Sequence, residues 1–179
     1  ISLGNINVLR FAAIYGANAS GKSNLVQAMN ILKLLVYKGI TEVSKNVYCR
    51  CNEENKNKES SIECIFFING SFYAFGIKFL ANAGILLEEW LSKISQTNSK
   101  EKKIYYYRKN ENDLKNIFPL IYKNSEDFHR LETYVFDQNQ FETYTSTFIH
   151  SLIKKKFTDE KMIFVTDFEK WIDSFDINM

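Results

Sequence analysis

The feature that most constrains the fold is the octapeptide Gly16-Ala17-Asn18-Ala19-Ser20-Gly21-Lys22-Ser23, which has the form G-x-x-x-x-G-K-S. The apolar run over residues 8–14 before it has the length and character of a buried parallel strand. Apolar residues recur at helical spacing after it, at Leu25, Ala28, Met29, Leu32, Leu35 and Val36. Strand, glycine loop and helix in this order predict an α/β fold built on a phosphate-binding loop.

Each residue type in the octapeptide suits a polyphosphate ligand. Gly16 and Gly21 lack a β-carbon, so the backbone can turn tightly and approach the phosphates. The amides from Ala19 to Ser23 are expected to point inward at a helix N-terminus. Lys22 adds a mobile charge for the β- and γ-phosphates. The Ser23 hydroxyl is the predicted Mg²⁺ ligand, because this hard cation prefers oxygen.

Composition indicates an ordinary globular chain with one domain, or one domain and a subdomain. The 179 residues are 45% hydrophobic and 25% charged, with a net charge of +2, which implies no general attraction to nucleic acid or membranes. No apolar run approaches the ~20 residues of a membrane span, and no leader with a cleavage site opens the chain. We therefore expect a cytoplasmic protein. Because residue 1 is Ile1, we also expect the chain to begin inside a longer one.

Three cysteines, Cys49, Cys51 and Cys64, cannot all pair with one another, and the first two are too close for an easy disulfide. Reduced thiols fit this pattern. Their spacing matches no common zinc site, and His129 and His150 lie far along the chain. The sequence favours plain thiols over a metal centre.

The middle of the chain changes to a period of two. Polar residues 52–60 predict an exposed loop, and alternating apolar residues then flank Asn69-Gly70, a strong hairpin signal. Two further strands are predicted over 85–94 and 103–109, with 95–102 as a polar connection. We therefore expect an antiparallel β-subdomain of about four strands over residues 46–120, between a strand–loop–helix unit at 1–45 and a helical region at 121–179.

The helical region carries an apolar stripe, and two other clusters allow a second interpretation. The stripe comprises Phe128, Leu131, Val135, Phe141, Tyr144, Phe148 and Leu152 and predicts two helices broken near Asp137, with a final helix from about 158–160 to Phe175. Lys154-Lys155-Lys156 suits the C-terminal end of a helix, and a nucleic-acid patch is the less favoured reading. Tyr105-Tyr106-Tyr107 could stack on bases, although packing on a sheet is the favoured interpretation.

Hydrolysis would also need a carboxylate near Mg²⁺ and a group that orients water. Asp167 follows the apolar run 162–166 and is the one candidate for that carboxylate. Its neighbours Phe164, Phe168, Trp171, Ile172 and Phe175 have helical spacing, so the sequence favours a solvated helix position for Asp167. A GTPase is disfavoured because Asn55-Lys56-Asn57-Lys58 lacks the aspartate of the guanine-reading motif. A small-molecule kinase is disfavoured because Arg10, Arg50, Arg108 and Arg130 are scattered.

The segment Ala12-Ala13-Ile14-Tyr15-Gly16-Ala17-Asn18-Ala19-Ser20-Gly21-Lys22-Ser23-Asn24-Leu25 resembles the P-loop of bacterial ATP-binding proteins of the abortive-infection (AbiL-like) group. These proteins belong with the overcoming-lysogenization-defect nucleases and the RecF and SMC heads, in the ABC class of ATPases. The antiparallel strands after the first helix are similar to the β-subdomain of such heads. Residues 146–152, with Trp171-Ile172, resemble their helical insertion. The fold implied is the N-terminal lobe of an ABC-ATPase head.

The resemblance implies ATP and Mg²⁺ as cofactors, a homodimer that sandwiches ATP between heads, and a role in defence against phage with an effector nuclease or toxin. The implied nucleotide-binding residues are Gly16, Ala17, Asn18, Ala19, Ser20, Gly21, Lys22, Ser23 and Asn24, with Ser23 also binding the metal. Gln138 and Gln140 are weak candidates for the family's Q-loop. The signature motif, the strand ending in Asp-Glu and the switch histidine of the family are not found in this sequence.

Three functions follow as hypotheses. The first is an ATP-dependent switch that controls an effector. The second is a DNA repair or recombination head of RecF or SMC type, which would need a basic groove or long heptad arms; the near-neutral charge mildly favours the switch. The third is a nucleotide sensor without catalysis. We expect this chain to be the N-terminal half of an ATPase head, which alone would hydrolyse ATP negligibly.

Overall fold

The computed structural model describes residues 2–3, 6–7, 13–43, 45–48, 51–95, 102–109, 129, 145–156 and 162–175. The strands are β1 (Ser2–Leu3), β2 (Ile6–Asn7), β3 (Ser60–Ile68), β4 (Ser71–Leu80), β5 (Ile85–Ile94) and β6 (Lys102–Lys109). The helices are α1 (Lys22–Lys38), α2 (Phe148–Lys155) and α3 (Ile163–Asp173), with short 3-10 segments at Ile40–Glu42 and Glu53–Asn57.

Strands β3 to β6 form one antiparallel sheet in the order β3-β4-β5-β6, which confirms the predicted antiparallel sheet of about four strands. Ile68 pairs with Ser71, so the β3–β4 hairpin is closed by the two residues Asn69 and Gly70, as the sequence predicts. Both have positive φ, 47° and 76°, which matches the right-handed twist of the flanking strands. Strands β1 and β2 form a separate two-stranded sheet.

The main core lies between one face of this sheet and the three helices. It contains residues such as Phe75, Ile77, Phe79 and Leu91 from the sheet, Leu32, Leu35 and Val36 from α1, Phe148 and Leu152 from α2, and Phe164, Phe168 and Ile172 from α3. Aromatic rings supply much of the contact: Phe66 stacks on Trp171 with centroids 4.0 Å apart, and Phe75 meets Phe168 edge-on at 4.6 Å. Burial of these large rings is the main stabilising contribution to the fold.

Helix α1 is held at its C-terminal half. The Tyr37 hydroxyl donates to Asp173 Oδ1 at 2.6 Å, and Lys33 Nζ donates to the Phe175 carbonyl at 3.0 Å, so α1 is tied to the end of α3. Burial, and then the hydrogen bond with Asp173, raise the pKa of Tyr37. After α1 ends at Gly39, the Ile40 amide donates to the Thr145 carbonyl at 2.8 Å. The C-terminal end of α1 is thereby tied to the end of α3 and to the segment just before α2.

A buried carboxylate joins the sheet to α2. Glu89 in β5 is 1% exposed, and its Oε2 and Oε1 accept hydrogen bonds from the amides of Phe148 (2.7 Å) and Ile149 (3.0 Å). The Thr147 hydroxyl accepts from the His150 amide at 3.3 Å and caps the same turn. The negative charge lies at the positive end of the helix dipole, where it is stabilised. Glu89 therefore fixes the start of α2 on the sheet.

The C-terminal predictions are confirmed in part. Helix α2 ends within the lysine run, with Lys156 in the left-handed region after its last turn. Helix α3 is present, but it begins at Ile163 with Met162 at its N-cap, rather than near residues 158–160. The predicted break near Asp137 and most of the preceding apolar stripe lie outside the described residues. In the described part of the chain, none of the helices has the length and apolar character that crossing a membrane requires.

Candidate functional site

The N-terminus of α1 is open. The helix begins at Lys22, no side chain caps it, and its first turn contains no acidic residue. The first amides of a helix have no partner within the helix, and the helix dipole adds partial positive charge at the same end. This end of α1 is therefore suited to an anionic group.

The loop before α1 turns sharply and contains two residues with positive φ. Ala19 and Gly21 have φ values of 64° and 93°, so two left-handed residues flank Ser20, whose amide donates to the Ala17 carbonyl at 3.2 Å. A β-carbon on Gly16 would lie 2.6 Å from Ser20 Oγ, so a side chain there would displace the Ser20 hydroxyl from its present position. Alternating backbone conformations of this kind turn successive amides toward one point. Gly21 lies in this turn, and the cradling of phosphate by Gly16 and Gly21 stays a prediction.

Lys22 folds back over the loop. Its Nζ donates to the carbonyls of Gly16 (2.5 Å) and Ala17 (2.7 Å) and to Ser20 Oγ (3.2 Å). The ammonium therefore spans the loop from its first residue to its fifth, and the carbonyls satisfy its donors. A phosphate would offer the same donors fully charged oxygens, which form stronger hydrogen bonds than neutral carbonyls. Lys22 can be redirected to a ligand without leaving the loop.

The remaining loop positions are open to solvent. Ala17, Asn18, Ser23 and Asn24 are exposed, and so is every other residue from 13 to 21. The Ser23 hydroxyl belongs to the first turn of α1, beside the amides that would hold phosphate. An oxygen donor at this position suits Mg²⁺ when a phosphate supplies further oxygen ligands.

The strand predicted before the loop is not formed at its described residues, Ala13 and Ile14. Residues 8–12 lie outside the described part of the chain, and residues 13–17 form no strand. Ile14 and Tyr15 are 59% and 89% exposed. A central parallel strand is buried on both faces and needs hydrogen-bonded neighbours. None of the described strands pairs with residues 13–14, so the apolar pattern alone does not produce a strand there.

Asp167 is not solvated, which corrects the prediction from the sequence. It lies in α3, as expected, but only 3% of its surface is exposed. Its carboxylate accepts hydrogen bonds from Asn69 Nδ2 at 2.6 Å and from the Tyr73 hydroxyl at 3.4 Å. Asp167 thus faces the β3–β4 hairpin, and the exposed phosphate loop gives it no contact. Its role is to hold the hairpin turn against α3.

Substitution of Asp167 distinguishes this structural role from a role in binding Mg²⁺. Asp167→Ala should lower the free energy of unfolding by about 1–3 kcal/mol, because it removes the hydrogen bonds that this buried carboxylate accepts from Asn69 and from the buried Tyr73. The melting temperature should fall by roughly 2–12 °C at this chain length. ATP affinity, measured by calorimetry well below that temperature, should stay at the wild-type value. A carboxylate that held Mg²⁺ would instead give weaker ATP binding without a comparable loss of stability.

Among the residues that the structure describes, the other predicted candidates form no second site. Cys51 and Cys64 are not in disulfides, and burial, with the nearby charge of Glu63, raises the pKa of Cys64. Burial and the neighbouring Lys154 lower the pKa of His150, which also hydrogen-bonds the backbone of Val36. Within the described ranges, no group of three His, Cys, Asp or Glu side chains could hold a metal ion. Cys49, Arg10, Arg50, Arg130, Gln138 and Gln140 lie outside those ranges.

The sequence analysis missed two structural carboxylates. It did not single out Glu89, and it did not predict the hydrogen-bond partners of Asp167. Glu89 lies opposite Ile77 in the β4–β5 register, at a strand position that faces the helices. A carboxylate at an inward position of an apolar strand is the signal that could have revealed it, because a buried charge must find donors. The sequence does not show which donors those are.

Comparison with known proteins gives one family. A family model described as "AAA domain, putative AbiEii toxin, Type IV TA system" matches residues 11–148, which include the whole phosphate loop, α1 and the four-stranded sheet. No curated protein and no solved structure matches the chain. The match covers well over half of the sequence, and the loop geometry agrees with it. The chain belongs to this AAA family of P-loop ATPase-like domains associated with abortive infection.

Proposed function

We propose that this chain binds ATP with Mg²⁺ and acts as a nucleotide-dependent switch in bacterial antiphage defence by abortive infection. The observation that carries the proposal is the open N-terminus of α1 with Lys22 folded over the loop before it. The first amides of α1, its helix dipole and one mobile ammonium are available at this end of the helix, and the family match includes this segment. Together they favour a polyphosphate over a single small anion.

The roles follow from the positions. The backbone of Gly16–Ser23, including Ala17, Asn18, Ala19 and Ser20, would surround the β- and γ-phosphates. Lys22 would exchange its two carbonyl acceptors for phosphate oxygens, and Ser23 would bind Mg²⁺. Asn24, one residue further along α1, would lie toward the α-phosphate and the sugar. The cofactors in this proposal are therefore ATP and Mg²⁺.

Hydrolysis needs groups that this part of the chain does not supply. Among the described residues, none of the carboxylates hydrogen-bonds to the phosphate loop, and Asp167 serves the hairpin. We therefore assign nucleotide binding to this chain, as an N-terminal lobe of ABC-ATPase head type, and assign hydrolysis to a state completed by further residues. A head-to-head homodimer around ATP, coupled to an effector nuclease or toxin, is the form of switch that this lobe fits.

Thermal unfolding tests the proposal directly. With ATP–Mg²⁺ at 100 times its dissociation constant, the native state should gain about 2.7 kcal/mol. The melting temperature of the 179-residue chain should then rise by roughly 5 to 10 °C. EDTA should reduce the shift, because the metal neutralises phosphate charge, and GTP should give a smaller one. An unchanged melting temperature at millimolar ATP–Mg²⁺ would contradict nucleotide binding.

A further inference from the structure

A cleft of about 860 Å³ lies along α1, beginning one residue after the phosphate loop. We call it the α1 cleft. The residues that matter to its chemistry come from the first turns of α1, from the segment 45–48 and from the β3–β4 edge of the sheet: Asn24, Gln27, Asn46, Tyr48, Ile62 and Phe79. Its volume falls in the range of small-molecule sites, which are commonly 300–1,000 Å³.

The cleft begins beside the predicted phosphate position. Asn24 directly follows Ser23, and Gln27 lies three residues further along, on the same side of the helix. At 1.5 Å per residue, Gln27 is about 6 Å along the axis from Ser23. A group joined to the phosphates can therefore enter the cleft without crossing another element that the structure describes.

The lining suits a flat heteroaromatic group attached to a sugar. Phe79 is buried and Ile62 is half-buried, so they form an apolar floor, while the half-buried Tyr48 offers a ring for stacking. Asn24 and Gln27 are exposed at the helix side and present amide groups. Sites for small ligands combine apolar and aromatic walls with a few polar groups that fix orientation.

The polar groups favour adenine over guanine. The amide of Asn or Gln can pair with N6 and N7 of adenine, donating to one and accepting from the other, whereas guanine N7 and O6 are matched by Arg or Lys. Amides are the polar side chains at the helix side of the cleft, and in the part of the chain that the structure describes no charged residue lines it. Among the described lining residues, a second phosphate or an acidic group would find no counter-charge.

We propose that the α1 cleft binds the nucleoside of ATP, with Tyr48 stacking on the adenine ring and Gln27 pairing with its edge. This assignment rests on the proposed ATP binding at the loop and specifies where its selectivity arises. The phosphates are held by the loop, and the cleft adds affinity that depends on the base.

Equilibrium binding of three probes to the 179-residue chain tests the assignment: ATP, GTP and inorganic tripolyphosphate, each with Mg²⁺. Gln27→Ala should weaken ATP binding about fivefold, the loss of one or two neutral hydrogen bonds. Tyr48→Ala should weaken it about tenfold or more through lost stacking, and Tyr48→Phe, which keeps the ring, should restore most of that loss. Tripolyphosphate affinity should stay unchanged in all three variants.

Asn30→Ala is the matched control, because it removes an amide from the same helix outside the cleft and should change nothing. Thermal unfolding without ligand checks that each variant folds. If Tyr48→Ala does not fold, the result for Gln27→Ala, a substitution at an exposed position, decides the test. The assignment of the nucleoside to the α1 cleft is overturned if Gln27→Ala binds ATP as tightly as the wild type does. It is also overturned if the wild type binds tripolyphosphate as tightly as ATP. Neither outcome contradicts phosphate binding at the loop. Failure of the wild type to bind either ATP or tripolyphosphate overturns both.

Discussion

Lys22→Ala is expected to reduce ATP affinity at least about 100-fold while the ligand-free protein keeps its fold. Charge-assisted hydrogen bonds are worth about 1.5–3 kcal/mol each, and the ammonium can make two to the β- and γ-phosphates. Losing about 3 kcal/mol corresponds to roughly a 100-fold weaker dissociation constant. In the ligand-free state, Lys22 bonds only to exposed groups of its own loop, so its removal should cost little stability.

Isothermal calorimetry on the 179-residue chain measures this loss, with the melting temperature as the check on folding. Lys38→Ala is the matched control, because Lys38 is an exposed lysine at the opposite end of the same helix. It should leave ATP affinity unchanged and so exclude a general effect of charge. Wild-type affinity in Lys22→Ala would mean that phosphate is not held at this loop.

The sheet and α1 could be predicted from sequence because their signals are local. The β3–β4 hairpin depends on alternation up to Asn69 and on two residues that accept positive φ, and strand β5 has the predicted bounds, Ile85–Ile94. The phosphate loop is equally local, since its glycines and Lys22 act on neighbours within six residues. For such features, the residues that cause the structure are adjacent to it.

Features that depend on distant partners were not predictable. Asp167 has the helical neighbours that the sequence indicates, but its acceptor role depends on Asn69, 98 residues earlier. The strand expected before the phosphate loop depends on neighbouring strands, and an apolar run at Ala13 and Ile14 cannot supply them. Periodicity shows which face of an element is apolar, and it does not show which element covers that face.

The two halves of α1 differ in burial and in their contacts with the rest of the fold. Its N-terminal half carries the proposed nucleotide site and has Leu25 and Val26 exposed, whereas its C-terminal half is largely buried and tied to α3 through Lys33 and Tyr37. A helix anchored at one end can present its other end with fixed orientation to a ligand. The rigidity of the proposed site therefore depends on how firmly α2 and α3 are fixed to the sheet.

Glu89→Ala is expected to be the most destabilising single substitution in that arrangement. It removes a buried charge and leaves the amides of Phe148 and Ile149 without acceptors. Each unsatisfied buried group costs about 1–3 kcal/mol, so a loss of about 3–5 kcal/mol is expected. Urea titration should show this loss, and the melting temperature should fall by on the order of 10 °C.

Comparing Glu89→Gln with Glu89→Ala distinguishes the contribution of the carboxylate as a helix cap from that of its volume in the core. Glu89→Gln keeps the volume and one acceptor but turns an NH₂ group toward the second amide, so its loss should be intermediate. Glu63→Ala, at an exposed position of the same sheet, should stay within about 0.5 kcal/mol of the wild type. If Glu89→Gln were as stable as the wild type, the carboxylate charge would contribute nothing at the start of α2. Helix α1 is anchored to α3 and packs against α2. Glu89→Ala should therefore also weaken ATP binding at temperatures near the melting temperature of the variant, and it should leave ATP binding unchanged at temperatures well below.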